Sequence, residues 1–431
     1  MFKYNSRANR HNNPEIDGRE RNMKANKKNV CLFVLFAFFL SYFAPLYAAT
    51  EQEVIIGLNI PLTGPYALQG KDQLQAYKLA QEEVNASGGI LGRRIRYLYA
   101  DSKSDPEVSV ENVKKFIDEG ADMITGGSSS DVAIAVSKLC QSRKKLFLAT
   151  LTYSNDLTGK DAHRYTFRET YNAWMAAKAL GKYLNQRFPK AKYFYITADY
   201  TWGWTTRDSM KKFTNSQDAP DILTPLGSQH EVYREAIQKA MESNRDILVL
   251  VLFGRDMVYA MQEAIELGAT KKFKQIVVPN LEIHMAIGRQ PPYTAGVIGA
   301  VPWYWEVPYI YNYEKGKQFV EAYKKRWNEM PGSGGGTAYT NIMLYKWAVE
   351  QAKSFRGRDL IPLLENHSFI SLKDKQTIRA YDHQTIQTVY VVRGKESGKD
   401  MWDVFEIIQA VPGEEVMPTP EENPVQLEPL D

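Results

Sequence analysis

The chain has 431 residues, with 54 Lys and Arg against 50 Asp and Glu, a formal net charge of +4, and two cysteines. The excess of base lies before residue 49. Beyond Ala48, 46 basic residues face 47 acidic ones and Cys140 is the one cysteine left, which excludes a basic nucleic-acid footprint and an intrachain disulfide.

The first readable element is residues 27–49, KKNVCLFVLFAFFLSYFAPLYAA: two lysines, an apolar run from Val30 to Phe43, a helix-breaking Pro45 and small residues. This is the pattern of a secretory signal peptide cleaved after Ala48 or Ala49, too short for a permanent span. Leu46 or Tyr47 is bulky for the −3 position, so an uncleaved inner-membrane anchor is the competing reading. Met23, ahead of KANKKNV, is an alternative start. Cys31 has no small-residue lipobox before it. No later stretch holds 18 apolar residues in a row. The 383 residues after Ala48 exceed one ordinary core, so two lobes are expected.

Residues 54–110 then run strand, Gly/Pro loop, amphipathic helix, double-glycine turn, strand, and an Asp-Pro helix start, the order of a βαβ unit. Apolar β-rich runs continue to alternate with helical patterns, the signature of parallel α/β layers. The strands fall at 54–60, 94–100, 122–126, 146–150, 193–197, 222–226, 246–252, 275–279 and 296–301. Apolar side chains share one 3.6-period face from Gln73 to Val84 and from Val108 to Ile117. Later helices are predicted at 171–187, 205–215, 231–243, 255–267, 313–329 and 336–354, and short strands near 375–379, 386–393 and 403–408. The last residues, 412–431, are rich in Pro and Glu and have no apolar face, which predicts a disordered acidic tail.

The segments PLTGPYALQG, NASGGILGRRI, DSKSDPEVSVENVKKFI, GGSSSDVAIAVSKLC, YTFRETYN, ADYTWG, AIELGA, GGTAYTNIMLYKWAVEQA and IRAYDHQTIQTVYVV stand in this order over residues 53–408. Each is weak alone; together, behind a leader, they closely resemble the bacterial leucine/isoleucine/valine-binding proteins, the type I periplasmic binding proteins. The resemblance implies a two-lobed Venus-flytrap α/β fold with parallel-sheet lobes and three crossovers. By analogy, lobe one is 49–170 plus 301–373 and lobe two 171–300 plus 374–411. It further implies a monomeric substrate-binding component that delivers amino acids, amides or related small carboxylates to an ABC permease, exported to the periplasm and using no cofactor. A sensing subunit that reports to a separate membrane partner is the alternative.

Ligands of open α/β sheets bind beyond the carboxyl ends of strands, at helix N-termini. Here that place is Gly126-Gly127-Ser128-Ser129-Ser130-Asp131, where the helix dipole favours a carboxylate. The resemblance assigns ligand contact to Ser128 and Ser129; a plain N-cap would account for one of them. It also points to the loop holding Thr150, Thr152 and Tyr153, whose ordinary role would be turn residues bonding their own backbone. Tyr66 and Gln69 stand where the family often has an aromatic. In the second lobe, Tyr200 or Trp202 would close over the ligand, or serve interlobe packing. Glu282 fits the family's acid for a ligand ammonium, unless Asn280 takes that place, which would favour a neutral amide-like or carboxylate ligand. Tyr339 lies near a family aromatic contact. The segment Phe253-Gly254-Arg255-Asp256 is the counterpart of a Gly-rich contact loop, and Trp303-Tyr304-Trp305 reads as crossover packing. His284 and His383 lack paired ligand spacing, so no metal is expected. The chain lacks G-x-S-x-G, P-loop, H-E-x-x-H and paired-cysteine signatures, and an enzyme is not expected.

Overall fold

A computed structural model describes residues 52–430, so the expected leader lies outside the described residues. The opening βαβ unit forms as its pattern requires. Strand β1 (Val54–Ile60) pairs in parallel with β2 (Ile95–Asp101), and α1 (Ala67–Ala86) connects them. Helix α2 (Pro106–Asp118) starts where Asp105 accepts a hydrogen bond from Val108 N at 2.9 Å, with proline at the first helical position. β3 (Met123–Gly127), α3 (Ser130–Ser142), β4 (Leu146–Thr150) and the three-residue β5 (Thr166–Arg168) complete a five-stranded, all-parallel sheet of order β2-β1-β3-β4-β5. β3 and β4 are buried on both faces, as an apolar run covered by helices on each side demands.

The chain then passes to a second sheet. Asn172 caps α4 (Ala173–Arg187) through Met175 N at 3.0 Å. Next come β6 (Tyr193–Ala198), α5 (Thr201–Phe213), β7 (Asp221–Thr224), α6 (His230–Glu242), β8 (Ile247–Val251), α7 (Gly254–Glu266), β9 (Gln275–Val278) and β10 (Ile298–Val301). A second passage leads back to α8 (Glu314–Trp327), α9 (Ser333–Ala352) and α10 (Gly357–Leu364), with α9 lying along α1. A small antiparallel sheet follows, β11 (Ser368–Ile370), β12 (Lys375–Ile378) and β13 (Thr385–Ile386). A third passage delivers β14 (Val389–Gly394) and β15 (Phe405–Val411) to the edge of the second sheet, whose order is β15-β14-β10-β9-β8-β6-β7. Those two edge strands are antiparallel; the other pairings are parallel. The architecture is two-lobed α/β with a parallel sheet in each lobe.

Buried charge ties the passages together. Arg168, fully buried, donates to Gln384 Oε1 at 2.6 Å and to Thr152 O at 3.3 Å, and also bonds Ser154 O and Thr158. Lys373 Nζ donates to Pro302 O at 2.7 Å, Gln387 Oε1 at 2.5 Å and Thr388 O at 3.2 Å, joining the second passage to the third. A cation that leaves water must find acceptors of this kind. Trp303, expected at a crossover, is buried against Phe319.

The segment after Val411 differs from the disordered tail expected of its composition. Gly413–Val416 forms a helical turn, and Asn423 Nδ2 donates to Thr158 O at 2.9 Å. The Glu428 carboxylate contacts His163 Nδ1 at 2.5 Å and accepts from Arg164 N at 3.0 Å. Glu415 and Glu422 pair with Lys182 and Lys212 on helices of the second lobe, so acids that would keep an isolated tail solvated have partners on both lobes, and that docking replaces the missing apolar face.

Candidate functional site

The carboxyl ends of the two sheets face each other, and the loops leaving β1, β3, β4, β6, β8 and β9 meet in a closed cleft. Polar contacts join the lobes there. The hydroxyls of Tyr66 and Tyr200 are 2.8 Å apart. Gln69 Nε2 donates to Glu282 Oε2 at 3.3 Å. Arg255 N donates to Pro65 O at 3.1 Å. Asp131, at the start of α3, accepts from both the hydroxyl and the backbone N–H of Thr201. Gly254 makes the third contact possible. Its φ is +60°, and a Cβ there would lie 2.7 Å from Pro65 O and 2.7 Å from the Tyr66 ring.

The helix start after β3 carries three consecutive serines, Ser128 to Ser130. Ser128 is held at φ +70°, a conformation disfavoured for serine, with its N–H on Thr150 O at 3.1 Å and its Oγ on Gln73 Nε2 at 2.7 Å. Ser129 occupies the N-cap position of α3 with extended backbone, yet its hydroxyl makes no capping bond. The plain-cap explanation therefore fails for Ser129. Ser130 Oγ accepts from Ser154 N at 3.1 Å and fixes the next loop against the helix start.

Six buried rings pack together in the same cleft. Phe253 meets Tyr66 at 5.7 Å, Tyr153 at 5.9 Å and Trp202 at 6.1 Å between ring centroids. Tyr153 lies 5.1 Å from Tyr171, and Tyr200 lies 5.8 Å from Trp202. Trp202 Nε1 donates to Asn280 Oδ1 at 3.2 Å, and Asn280 Nδ2 donates to the Tyr171 hydroxyl at 3.0 Å. Few polar atoms among these rings are left open. Gln69 Oε1 is buried without a partner, and the hydroxyls of Tyr153 and Ser333 have only each other.

An ion cluster closes the floor. Glu282, 1% exposed, accepts from His284 N at 2.9 Å and from His284 Nδ1 at 2.9 Å. Opposite it, Asp72 of α1 accepts from Gly332 N at 3.0 Å, Gly335 N at 2.6 Å and the Tyr323 hydroxyl at 2.9 Å. Burial by itself would lower the imidazole pKa, but Glu282 and then Asp72 and Glu329 raise it to about 9. Burial raises the Asp72 carboxyl; Glu282 adds to that, and His284 with the two glycine N–H groups opposes it. Ligand atoms of Asp72, Glu282 and His284 lie within 4.8 Å of one another, a spacing a metal could bridge. Both oxygens of each carboxylate and the imidazole Nδ1 already have partners within the protein: Glu282 is paired with His284, and Asp72 is held by neutral donors. His383 is structural: it stacks on Phe167 at 3.8 Å and contacts Glu365 at 3.0 Å.

The structure thus brings together Ser128, Ser129, Tyr153, Tyr66, Gln69, Tyr200, Trp202, Asn280 and Glu282. Two expected residues point elsewhere. The Thr150 hydroxyl, at the end of β4, turns into the first lobe and meets Tyr77 OH at 2.8 Å and Asn341 Nδ2 at 3.0 Å. Tyr339 lies on the outside of that lobe, bonded to Glu83 at 2.6 Å and beside a separate cavity of about 480 Å³. It is six residues past Ser333 on α9, and that rotation carries it off the cleft face. Thr152 keeps its hydroxyl on Thr150 O at 3.3 Å, as a turn residue does. Sequence reasoning did not place Asp72, Tyr171 or Ser333 in the site. The glycine run Gly334-Gly335-Gly336 at the head of α9 was the available signal, since it marks a close backbone approach.

Comparisons with known proteins agree with this fold. A model of the family described as "Periplasmic binding protein" matches residues 53–399. Leu/Ile/Val-binding protein homolog 4 of Brucella melitensis is 24% identical over 350 residues, covering 78% of this chain and 82% of that protein. A periplasmic binding protein from Burkholderia mallei superposes with a TM-score of 0.78 at 23% identity, over 86% of this chain and 98% of the other. A solute-binding protein of an ABC transporter from Rhodopseudomonas palustris, solved with 3,4-dihydroxybenzoic acid, gives 0.75 at 18% identity, over 84% and 98%. At these identities the structural likenesses speak for the fold.

Proposed function

Because this chain belongs to the periplasmic binding protein family, whose members bind solutes rather than transform them, we propose that it is the substrate-binding component of an ABC importer for a small carboxylate carrying a ring. The observation that supports this most directly is the meeting of two features. The Ser129 hydroxyl makes no capping bond at a helix N-terminus, and six aromatic rings cluster in the same cleft. The first suits a carboxylate, since N–H groups and the helix dipole converge there. The second suits a flat apolar body, because large rings supply contact area at small entropic cost. The ligand touches both lobes, so it favours the closed arrangement, and that closed form is what a permease would read.

In this reading the leader is cleaved, the mature protein is a monomer, and Ser128, Ser129, Tyr66, Tyr153, Tyr200 and Trp202 contact the ligand. Lobe boundaries follow the three passages of the chain, and no helix among the described residues is long and apolar enough to cross a membrane. The test is mass spectrometry of whatever small molecule leaves the purified protein on denaturation, followed by calorimetry with that compound. Failure of every compound in an amino-acid, amide and organic-acid panel to raise the melting temperature would refute a binding role. Ligand-dependent stimulation of an ATPase complex would separate transport from sensing.

A further inference from the structure

We propose that His284 supplies, from within the protein, the cation that an α-amino acid would otherwise bring, so that the cleft selects ring-bearing carboxylates without an α-ammonium group. This rests on the carboxylate-site reading above and deepens it. Glu282 is the acid that the second lobe presents to the first across the cleft floor. Its oxygens are taken by the His284 ring, the His284 backbone N–H and Gln69. Approach from the remaining side is blocked by backbone: a Cβ on Gly332 would lie 2.0 Å from Glu282 Oε1. Oε1 keeps a lone pair beyond its bond to His284, but the Gly332 backbone leaves an incoming ammonium no room beside it.

The facing acid is no more available. Asp72 sits at the N-terminus of α9, where Gly332 N, Gly335 N and the Tyr323 hydroxyl occupy it and the helix dipole offsets its charge. The other charged and titratable groups around His284 are Glu329, which is paired with Lys71 at 2.6 Å, and the Tyr323 and Tyr153 phenols. The imidazole is therefore the cation that balances Glu282. Its pKa of about 9 keeps it protonated at neutral pH. An ammonium that enters beside this pair finds Glu282 already balanced and gains no counter-ion to offset the loss of its own hydration.

The experiment uses matched pairs of probes, phenylacetate against phenylglycine and 3-phenylpropanoate against phenylalanine, measured by calorimetry on the mature protein. The wild type is expected to bind the des-amino acid at least about 100-fold more tightly. H284N keeps a donor toward Glu282 but removes the positive charge, and should narrow that preference by about 10-fold or more. E282Q/H284N removes both charges and keeps the readout if H284N alone fails to fold. It should retain the preference for the des-amino acid, with an affinity that stays flat as pH rises through about 9, where the wild type is expected to weaken as the imidazolium deprotonates. Equal or tighter wild-type binding of the α-amino acid overturns the proposal, as does an unchanged preference in H284N. One equivalent of tightly held divalent metal in the purified protein would also overturn it, since the metal would then neutralise Glu282. Binding of no probe at all would instead refute the carboxylate-site reading.

Discussion

Gly332→Ala isolates lobe closure from folding. Gly332 has φ −88° and ψ −179°, extended backbone that alanine adopts without strain. Its new methyl group would lie 2.0 Å from Glu282 Oε1, 2.9 Å from His284 Cε1 and 2.9 Å from Asp72 Oδ2. Two of those three atoms belong to the second lobe, so they clash with the methyl only when the lobes are shut. Glu282 cannot swing aside cheaply, because His284 and Gln69 hold it. Overpacking of this kind costs about 1–3 kcal/mol, which corresponds to a loss of ligand affinity of roughly 5- to 150-fold. The ligand-free protein, able to keep its lobes apart, retains only the milder 2.9 Å approach to Asp72 Oδ2 and a poorer N-cap, and should lose about 1 kcal/mol. Calorimetry gives the affinity, melting of the ligand-free protein gives the fold, and small-angle scattering gives the closed fraction with ligand. Unchanged affinity, or a ligand-free stability loss as large as the affinity loss, would refute the reasoning.

Four further outcomes follow from the same contacts. Ser129→Ala should weaken carboxylate binding by about 1.5–3 kcal/mol without lowering the melting temperature of the ligand-free protein, since that hydroxyl caps nothing; calorimetry paired with thermal melting checks this. The His284 pKa is raised from 6.5 to about 9 in the closed protein, so its stabilisation is complete below about pH 6.5 and is lost as pH rises through 9. Melting curves of the liganded protein across that window should lose on the order of 3 kcal/mol; a flat profile would count against the ion cluster. Lys373→Ala strands three buried acceptors at the passages between lobes and should destabilise the protein by about 2–5 kcal/mol in urea unfolding. Burial pushes the Cys140 thiol up and out of reach, so a thiol reagent should label it only after denaturation.

The amino-acid pattern alone determined what is local. Strands 54–60 and 146–150 coincide with β1 and β4, and the Asp105-Pro106 helix start is where the residues place it, because strand period and N-capping act within a few residues of chain. The two-lobed α/β class and the helix start at Ser128-Ser129 followed from the same signals. Some short elements escaped: β5 has three residues, too few for any period to show. Tertiary structure alone decided which side of each loop faces the cleft. Alternation along β4 turned the Thr150 hydroxyl inward, and helical rotation along α9 carried Tyr339 to the outer surface. It also decided what Glu282 does. Gln69 and Glu282 are 213 residues apart, and Asp72 and Gly332 are 260 apart. No local rule joins groups at that distance. Only when the lobes close do the two acids, the histidine and the glycine backbone meet and determine the charge a ligand encounters.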